Sequence, residues 1–164
     1  MYFSDFYKDT LEAMAPALNI VCMDATHNTN EYAFLLVTLM VKDQTGMGCP
    51  VAHCICTSDN EEILFVFLNE VRKKVGRILV RYFMSDMAPQ YYKTFVNVMH
   101  KSTDDPFPTP EAIRCMWHVI KAWYSKARDI IKDTDIVEGI MNSCRAMIHT
   151  KNGTQVKQVI HISK

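Results

Sequence analysis

At 164 residues, with 49% hydrophobic and 22% charged side chains, 5 Gly and 6 Pro, the chain carries enough apolar material for one sizeable core. That composition excludes a disordered, collagen-like or low-complexity polypeptide. The 18 Lys and Arg balance the 18 Asp and Glu, which argues against gripping nucleic acid through bulk basic charge while leaving room for an acidic site that handles phosphates through metal ions.

In chain order, residues 1–18 read as a helical lead-in. Asp5, Lys8, Asp9 and Glu12 interrupt its apolar residues, so no signal-peptide core is expected there. Ile20–Met23 is a short apolar run that stops at Asp24. The longest apolar stretch, Ala33–Val41, is broken by Thr38 and reaches about half of the roughly 20 residues a membrane-spanning helix needs. Lys42-Asp43-Gln44-Thr45-Gly46 reads as a turn, and Val51–Cys56 as the return strand of a hairpin. The 6 Cys have no secretory signal beside them and read as reduced thiols. A nuclear or cytoplasmic protein, not a secreted one, is expected.

Ser58-Asp59-Asn60-Glu61 has the form of a capping box with Ser58 as the cap. Ile63, Leu64, Phe67, Leu68, Val71 and Val75 follow at helical spacing, with Gly76 as the stop. Ile78–Met84 reads as a strand leading to Ser85-Asp86, and Ala88, Tyr91, Tyr92, Phe95, Val96 and Met99 mark a second helix. The prolines at 106, 108 and 110 make a loop. Ala112–Trp117 reads as a fifth short strand, running into a helix with Val119, Ile120, Trp123, Ala127, Ile130 and Ile131 on its apolar stripe; Trp123 is expected in the core. Asp135 and Glu138 read as the start of a last helix through Ile148, and the tail after Gly153 as a weak strand or nothing regular. The order β, β, β, α, β, α, β, α fits an α/β mixed sheet of three antiparallel strands followed by two strand–helix units, with helices on both faces. If the fourth strand lies beside the first, Asp24 and Asp86 become neighbours.

Each candidate has an ordinary reading beside its chemical one. Two carboxylates on adjacent strand ends suit Mg²⁺ or Mn²⁺, yet an Asp just before a helix is commonly an N-cap, and Asp24 can simply be solvated. His27-Asn28-Thr29-Asn30 can orient a phosphate or make a plain turn. Cys115 and His118 form a lone C-x-x-H, too few ligands for structural zinc, and equally describe a buried thiol and a half-buried imidazole. Lys73, Lys74, Arg77 and Arg81 read as a solvated basic face near a helix end.

Three blocks taken together are more specific. Val21-Cys22-Met23-Asp24-Ala25-Thr26-His27-Asn28-Thr29-Asn30, Phe83-Met84-Ser85-Asp86-Met87-Ala88 and Arg114-Cys115-Met116-Trp117-His118-Val119-Ile120-Lys121-Ala122-Trp123 resemble, in order and spacing, the Mutator-like element (MULE) transposase domain. The resemblance runs from about residue 19 to 126. It implies a ribonuclease-H-like fold with a D-D-E carboxylate triad, a two-metal Mg²⁺ or Mn²⁺ site, and cleavage and strand transfer on DNA.

Carried over residue by residue, Asp24 is the first metal-binding acid and Asp86 the second. Cys115 and His118 match the C-x-x-H element, and His118 is expected beside the scissile phosphate as a hydrogen-bond donor or structural prop. Cys115 and His27 belong to the motif without a settled role. Asn28 stands where many members have Gly. The third acid has no visible counterpart: Glu138 lies too close to His118 and is read as a capping residue. The expected organisation is therefore the lead-in (1–18), a partial ribonuclease-H-like core (19–132) and a divergent C-terminal helix and tail (133–164). The expected function is a MULE-type transposase core, or a truncated or domesticated derivative, weakly active or inactive by itself. Its expected partners are DNA (transposon ends and target) and a second copy or a full-length transposase, without a membrane. The alternative is a catalytically dead, transposase-derived interaction domain, and a more distant one a ribonuclease-H-like nuclease with another substrate.

Overall fold

The computed structural model describes residues 19–27, 31–42, 47–86, 88–100 and 107–150. The lead-in, residues 28–30, residues 43–46, the first part of the proline loop (through 106) and the tail lie outside these residues. The described residues divide into two compact units, one up to Arg114 and the other from Cys115 onward.

The first unit is built on strands β1 (Ile20–Thr26), β2 (Leu35–Lys42), β3 (Gly48–Cys56), β4 (Tyr82–Ser85) and β5 (Glu111–Arg114). They form one five-stranded sheet in the order β3-β2-β1-β4-β5. β1, β2 and β3 pair antiparallel, while β4 runs parallel to β1 and β5 parallel to β4. The alternation in β2 is complete: Leu35, Val37, Leu39 and Val41 are buried, and the residues between them are not. That is the period-two pattern of a strand with one face in the core. In β3 two successive residues, Val51 and Ala52, are buried. The reason is a bulge: Leu39 pairs with Ala52 and Met40 with Pro50, so Val51 is the extra residue. Pro50 is tolerated because β3 is an edge strand.

Helix α1 (Glu61–Val75) connects β3 to β4, and α2 (Pro89–Met99) connects β4 to β5. α1 buries Leu64, Phe67, Leu68 and Val71, the i, i+3, i+4, i+7 stripe of a core-facing helix. Its N-cap is Asn60, whose side chain accepts from the Ile63 amide at 3.0 Å. Ser58 therefore does not cap it, contrary to the capping-box expectation; its hydroxyl accepts from the Asn60 amide one turn too early, at 3.2 Å. Gly76 ends the helix at φ 76°, a backbone angle side chains resist. α2 begins at Pro89, which needs no amide partner there. Its open C-terminal carbonyls are met from α1's end: Arg72 donates to Val98 O, and Arg77 Nε to Met99 O at 2.7 Å. Arg77 is thus a cap for a neighbouring helix and not merely part of a solvated face.

Both helices pack on the same side of the sheet, where Val21, Met23, Val37, Leu39 and Phe83 meet Leu64, Phe67, Tyr91 and Phe95 in one cluster. Phe83 and Phe95 rings lie 4.6 Å apart. β4 starts at Tyr82, later than the Ile78 expected, but Ile78 and Val80 are buried all the same.

The second unit consists of α3 (Met116–Ile130) and α4 (Thr134–His149), which pack on each other. α3 starts where the fifth strand was expected to continue, so Trp117 is helical. Trp123 is 40% exposed and is not the core residue its position on the stripe suggests. Asp133, not Asp135 or Glu138, caps α4, accepting from the Asp135 and Ile136 amides at 2.9 and 3.2 Å. Glu138 lies instead within an ion pair's reach of Arg145, at 3.8 Å.

Candidate functional site

β1 and β4 pair in the register Ile20 with Tyr82, Val21 with Phe83 and Cys22 with Met84. Two residues further along each chain come Asp24 and Asp86. The paired register ends at Cys22 and Met84; beyond it Asp24 lies inside β1 and Asp86 one residue past the end of β4, both on the carboxyl side of the ladder. The pleat sets the direction of the residues inside the strands. Val21, Met23, Phe83 and Ser85 are buried toward α1 and α2, whereas Cys22, Met84, Asp24 and Asp86 are half-buried. Asp24 therefore belongs to the face of the sheet opposite those helices, while Asp86, past the end of β4, takes its direction from its bond to the Ala88 amide.

The chain departs from β1 toward β2 and β3 on one side, and β4 and β5 lie on the other. That makes the gap between β1 and β4 a topological switch point, where open α/β sheets form crevices at the carboxyl ends of their strands. The ladder between β1 and β4 stops after Cys22 and Met84 while β1 runs on to Thr26.

Asp86 is not the cap of α2; Ala88 holds that position without a side-chain bond. Asp86 instead folds one oxygen, Oδ1, onto the Ala88 amide at 2.9 Å, fixing the side chain in a local turn. On the other flank, Asp24 pairs with Thr38 of β2, and Thr38 with His53 of β3. Thr38 Oγ1 and His53 Nδ1 are 3.1 Å apart.

Tyr91 of α2 reaches the same neighbourhood from the core side. Its side chain is 1% exposed, and its hydroxyl donates to Asp59 Oδ2 at 2.5 Å. Burial, the Asp59 bond and the negative charges of Asp59, Asp86 and Asp24 hold its proton well above the usual tyrosine range. Tyr91 is thus a fixed donor and not a base. Away from the acids, burial and the neighbouring Cys56 push the Cys54 thiol up to about 11, making it an inert small hydrophobe.

The remaining motif residues fall elsewhere. His27 is exposed, just past the end of β1. Cys115 and His118 belong to the second unit, at the start of α3. Cys115 is the N-cap residue without a side-chain cap bond, and His118 lies edge-on to Trp117 with ring centres 4.8 Å apart.

Two aspartates with oxygen donors, and no imidazole or thiolate between them, fit a hard cation that keeps water and takes its other ligands from a phosphate. Among the described residues no group of three His, Cys, Asp or Glu side chains gathers into a closed metal cage. The donor set thus fits Mg²⁺ or Mn²⁺ and lacks the third acid of a D-D-E triad. Thr38, His53, Asp59 and Tyr91 were not signalled as site residues by sequence pattern. Thr38 reads as a break in an apolar run and Asp59 as part of a cap, and only the register opposite Asp24 gives Thr38 and His53 meaning.

The sheet topology is that of an α/β protein of the ribonuclease-H-like class. The chain belongs to the family described as zinc finger SWIM domain-containing protein 1/3, RNaseH-like domain, whose profile matches residues 18–102, just over half of its length. No curated protein matches it. Among solved structures, it is similar to a chain in the cryo-EM structure of the simian T-cell lymphotropic virus intasome in complex with PP2A regulatory subunit B56 gamma. That match has 10% identity and a TM-score of 0.38, covering 75% of this chain and 46% of the other; the chain thus spans under half of that structure's chain.

Proposed function

We propose that this chain is a partial transposase core of the Mutator-like lineage, in which Asp24 and Asp86 hold a Mg²⁺ or Mn²⁺ ion for phosphodiester chemistry on DNA. The observation that supports this reading is the parallel pairing of β1 with β4 at the switch point, since Asp24 and Asp86 follow that ladder on neighbouring segments. The three sequence blocks that resemble the MULE domain support the choice of lineage within the ribonuclease-H-like class.

In this reading the cation polarises a phosphodiester oxygen and activates the attacking oxygen when it is bound. The protein's own contribution is to hold two carboxylates still. Asp24 is fixed by its place inside a paired strand, and Asp86 by its bond to the Ala88 amide. That bond leaves Asp86 Oδ2 as the oxygen for a metal. Tyr91, with its proton held, locks Asp59 and the approach to α1 against α2, so the loop behind the site cannot drift. Cys115 and His118 are assigned to the family's C-x-x-H element by resemblance alone.

A second reading has a specific observation in its favour. With no third carboxylate joining the two among the described residues, the same fold suits an interaction domain that has given up catalysis. Nicking of supercoiled DNA in Mn²⁺, with Mn²⁺ binding followed by calorimetry, separates the two. The first reading predicts Mn²⁺ binding and slow nicking, both lost in Asp24→Asn and Asp86→Asn. Binding that depends on both aspartates without nicking favours the interaction domain. Binding unchanged in both variants contradicts the metal site.

A further inference from the structure

In the second unit α3 buries no side chain, and α4 buries only Val137 and Met141. Two apolar stripes nevertheless run along α3. Ile120, Tyr124, Ala127 and Ile131 are half-buried, and Tyr124 and Ile131 line one small cavity with Val137 of α4, so this stripe faces the neighbouring helix. Met116, Trp123 and Ile130, seven residues apart, form the other stripe and are 44, 40 and 68% exposed. On α4 the exposed apolar residues are Ile136 and Ile140, at 53 and 38%.

The two exposed stripes lie on the same side. Each residue turns a helix by about 100°. Trp123 and Ile130 come one residue before Tyr124 and Ile131, and Ile136 and Ile140 one before the buried Val137 and Met141. The helices pack on each other across a three-residue connection, as antiparallel neighbours do. In an antiparallel pair of right-handed helices the same offset points the same way, so the hairpin carries one apolar layer with no second layer on it. A helical layer of this kind needs another to bury its face against, and exposed apolar patches mark such contacts.

Charge selects the partner. α3 carries Lys121, Lys126 and Arg128 against one acid, Asp129, whereas α4 with its cap carries Asp133, Asp135 and Glu138 against one base, Arg145. The surface is therefore complementary to itself when α3 of one copy lies against α4 of another. Lys126 flanks Trp123 and Ile130 along α3, and Asp135 adjoins Ile136 on α4. We propose that the α3–α4 hairpin is a dimerisation surface, on which two copies of this chain stack their apolar layers into a four-helix bundle with α3 of each on α4 of its partner. The contact is isologous, and the opposite arrangement, α3 on α3, sets like charges together. The pairing does not depend on the metal site.

Trp117 and Trp123 are the only tryptophans in the chain, and Trp117 lies off the exposed stripe, with Lys121 Nζ 4.7 Å from its ring centre. Trp117→Phe thus leaves Trp123 as the one indole reporter. Sedimentation equilibrium of the full chain at micromolar concentration is expected to give the mass of two chains. Trp123 emission is expected to move to longer wavelength on dilution, as the copies separate. Trp123→Glu is expected to raise the dissociation constant about 30-fold or more. Lys126→Glu, a change at an exposed position, is expected to raise it about 3-fold or more, and adding Asp135→Lys to restore it. A parent that stays monomeric, or a dimer that Trp123→Glu leaves unchanged, overturns the proposal. A dimer that Trp123→Glu dissociates but that the charge exchange does not restore overturns the pairing of α3 with α4.

Discussion

The two faces of the central sheet are made from the same strands and have opposite jobs. On the face toward α1 and α2, Val21, Met23, Val37, Leu39 and Phe83 are 0–1% exposed, and burial of that kind is what holds the unit together. On the other face, one residue along each strand, stand Asp24, Thr38 and His53. Polar groups there contribute little to stability and are costly if left unmatched. The comparison teaches that a period-two strand can separate apolar packing from polar side chains residue by residue. Tyr91 crosses the division: its ring belongs to the apolar cluster and its hydroxyl to the acids.

The contrast is open to breaking by substitution, and the largest effect is expected on the apolar face. Phe83→Ala removes a ring packed on Phe95 and is expected to cost about 3–5 kcal/mol in denaturant unfolding; a loss under about 1 kcal/mol would mean that the face is not the core. Tyr91→Phe comes next. Loss of a bond to a carboxylate is expected to cost about 1.5–3 kcal/mol at neutral pH. It also has a pH signature. Because the folded protein holds the Tyr91 proton more tightly than the unfolded chain, stability falls as pH rises above the ordinary tyrosine value near 10, by up to about 1.4 kcal/mol per pH unit. Stability curves of parent and Tyr91→Phe should therefore converge as the pH rises above 10. Curves that stay parallel would show that the hydroxyl is not buried against the acids.

A smaller loss, about 1 kcal/mol, is expected for Asn60→Ala, which removes the cap of α1; Ser58→Ala should cost less, and the reverse order would restore the capping-box reading. Smallest of all is the expected effect of Asp24→Asn on stability, within about 0.5 kcal/mol. An exchange this mild to the fold and severe to Mn²⁺ binding would sharpen the separation of the faces.

Much of this was legible in the sequence. Apolar runs at period two and 3.6 locate the strands and α1, because those residues must be buried on one side. The Ser85-Asp86 step marks the end of β4, whereas the first strand, expected to stop at Asp24, runs on to Thr26 because Ala25 and Thr26 still pair with β2; the order of elements suggests that β4 lies beside β1. Local chemistry was harder to place. Ser58 and Asn60 are equally good caps on paper, and the choice between them depends on where Asp59 is drawn by Tyr91, a contact from far along the chain. Trp123 follows a helical stripe, but a stripe says nothing of what covers it. Thr38 and His53 acquire their place only from the β2–β3 register and the bulge at Val51, which no spacing in the sequence reveals. The third acid of the expected triad has no counterpart that sequence or described structure brings to the other two.

The central claim is that Asp24 and Asp86 share one cation at the switch point. Titrating Mn²⁺ into nitrogen-15-labelled protein, and following which amide resonances its paramagnetism broadens, tests it most directly. Broadening that begins at residues 23–26 and 85–88 and vanishes in Asp24→Asn is the predicted result. Broadening centred elsewhere, or none at millimolar Mn²⁺, would contradict the site.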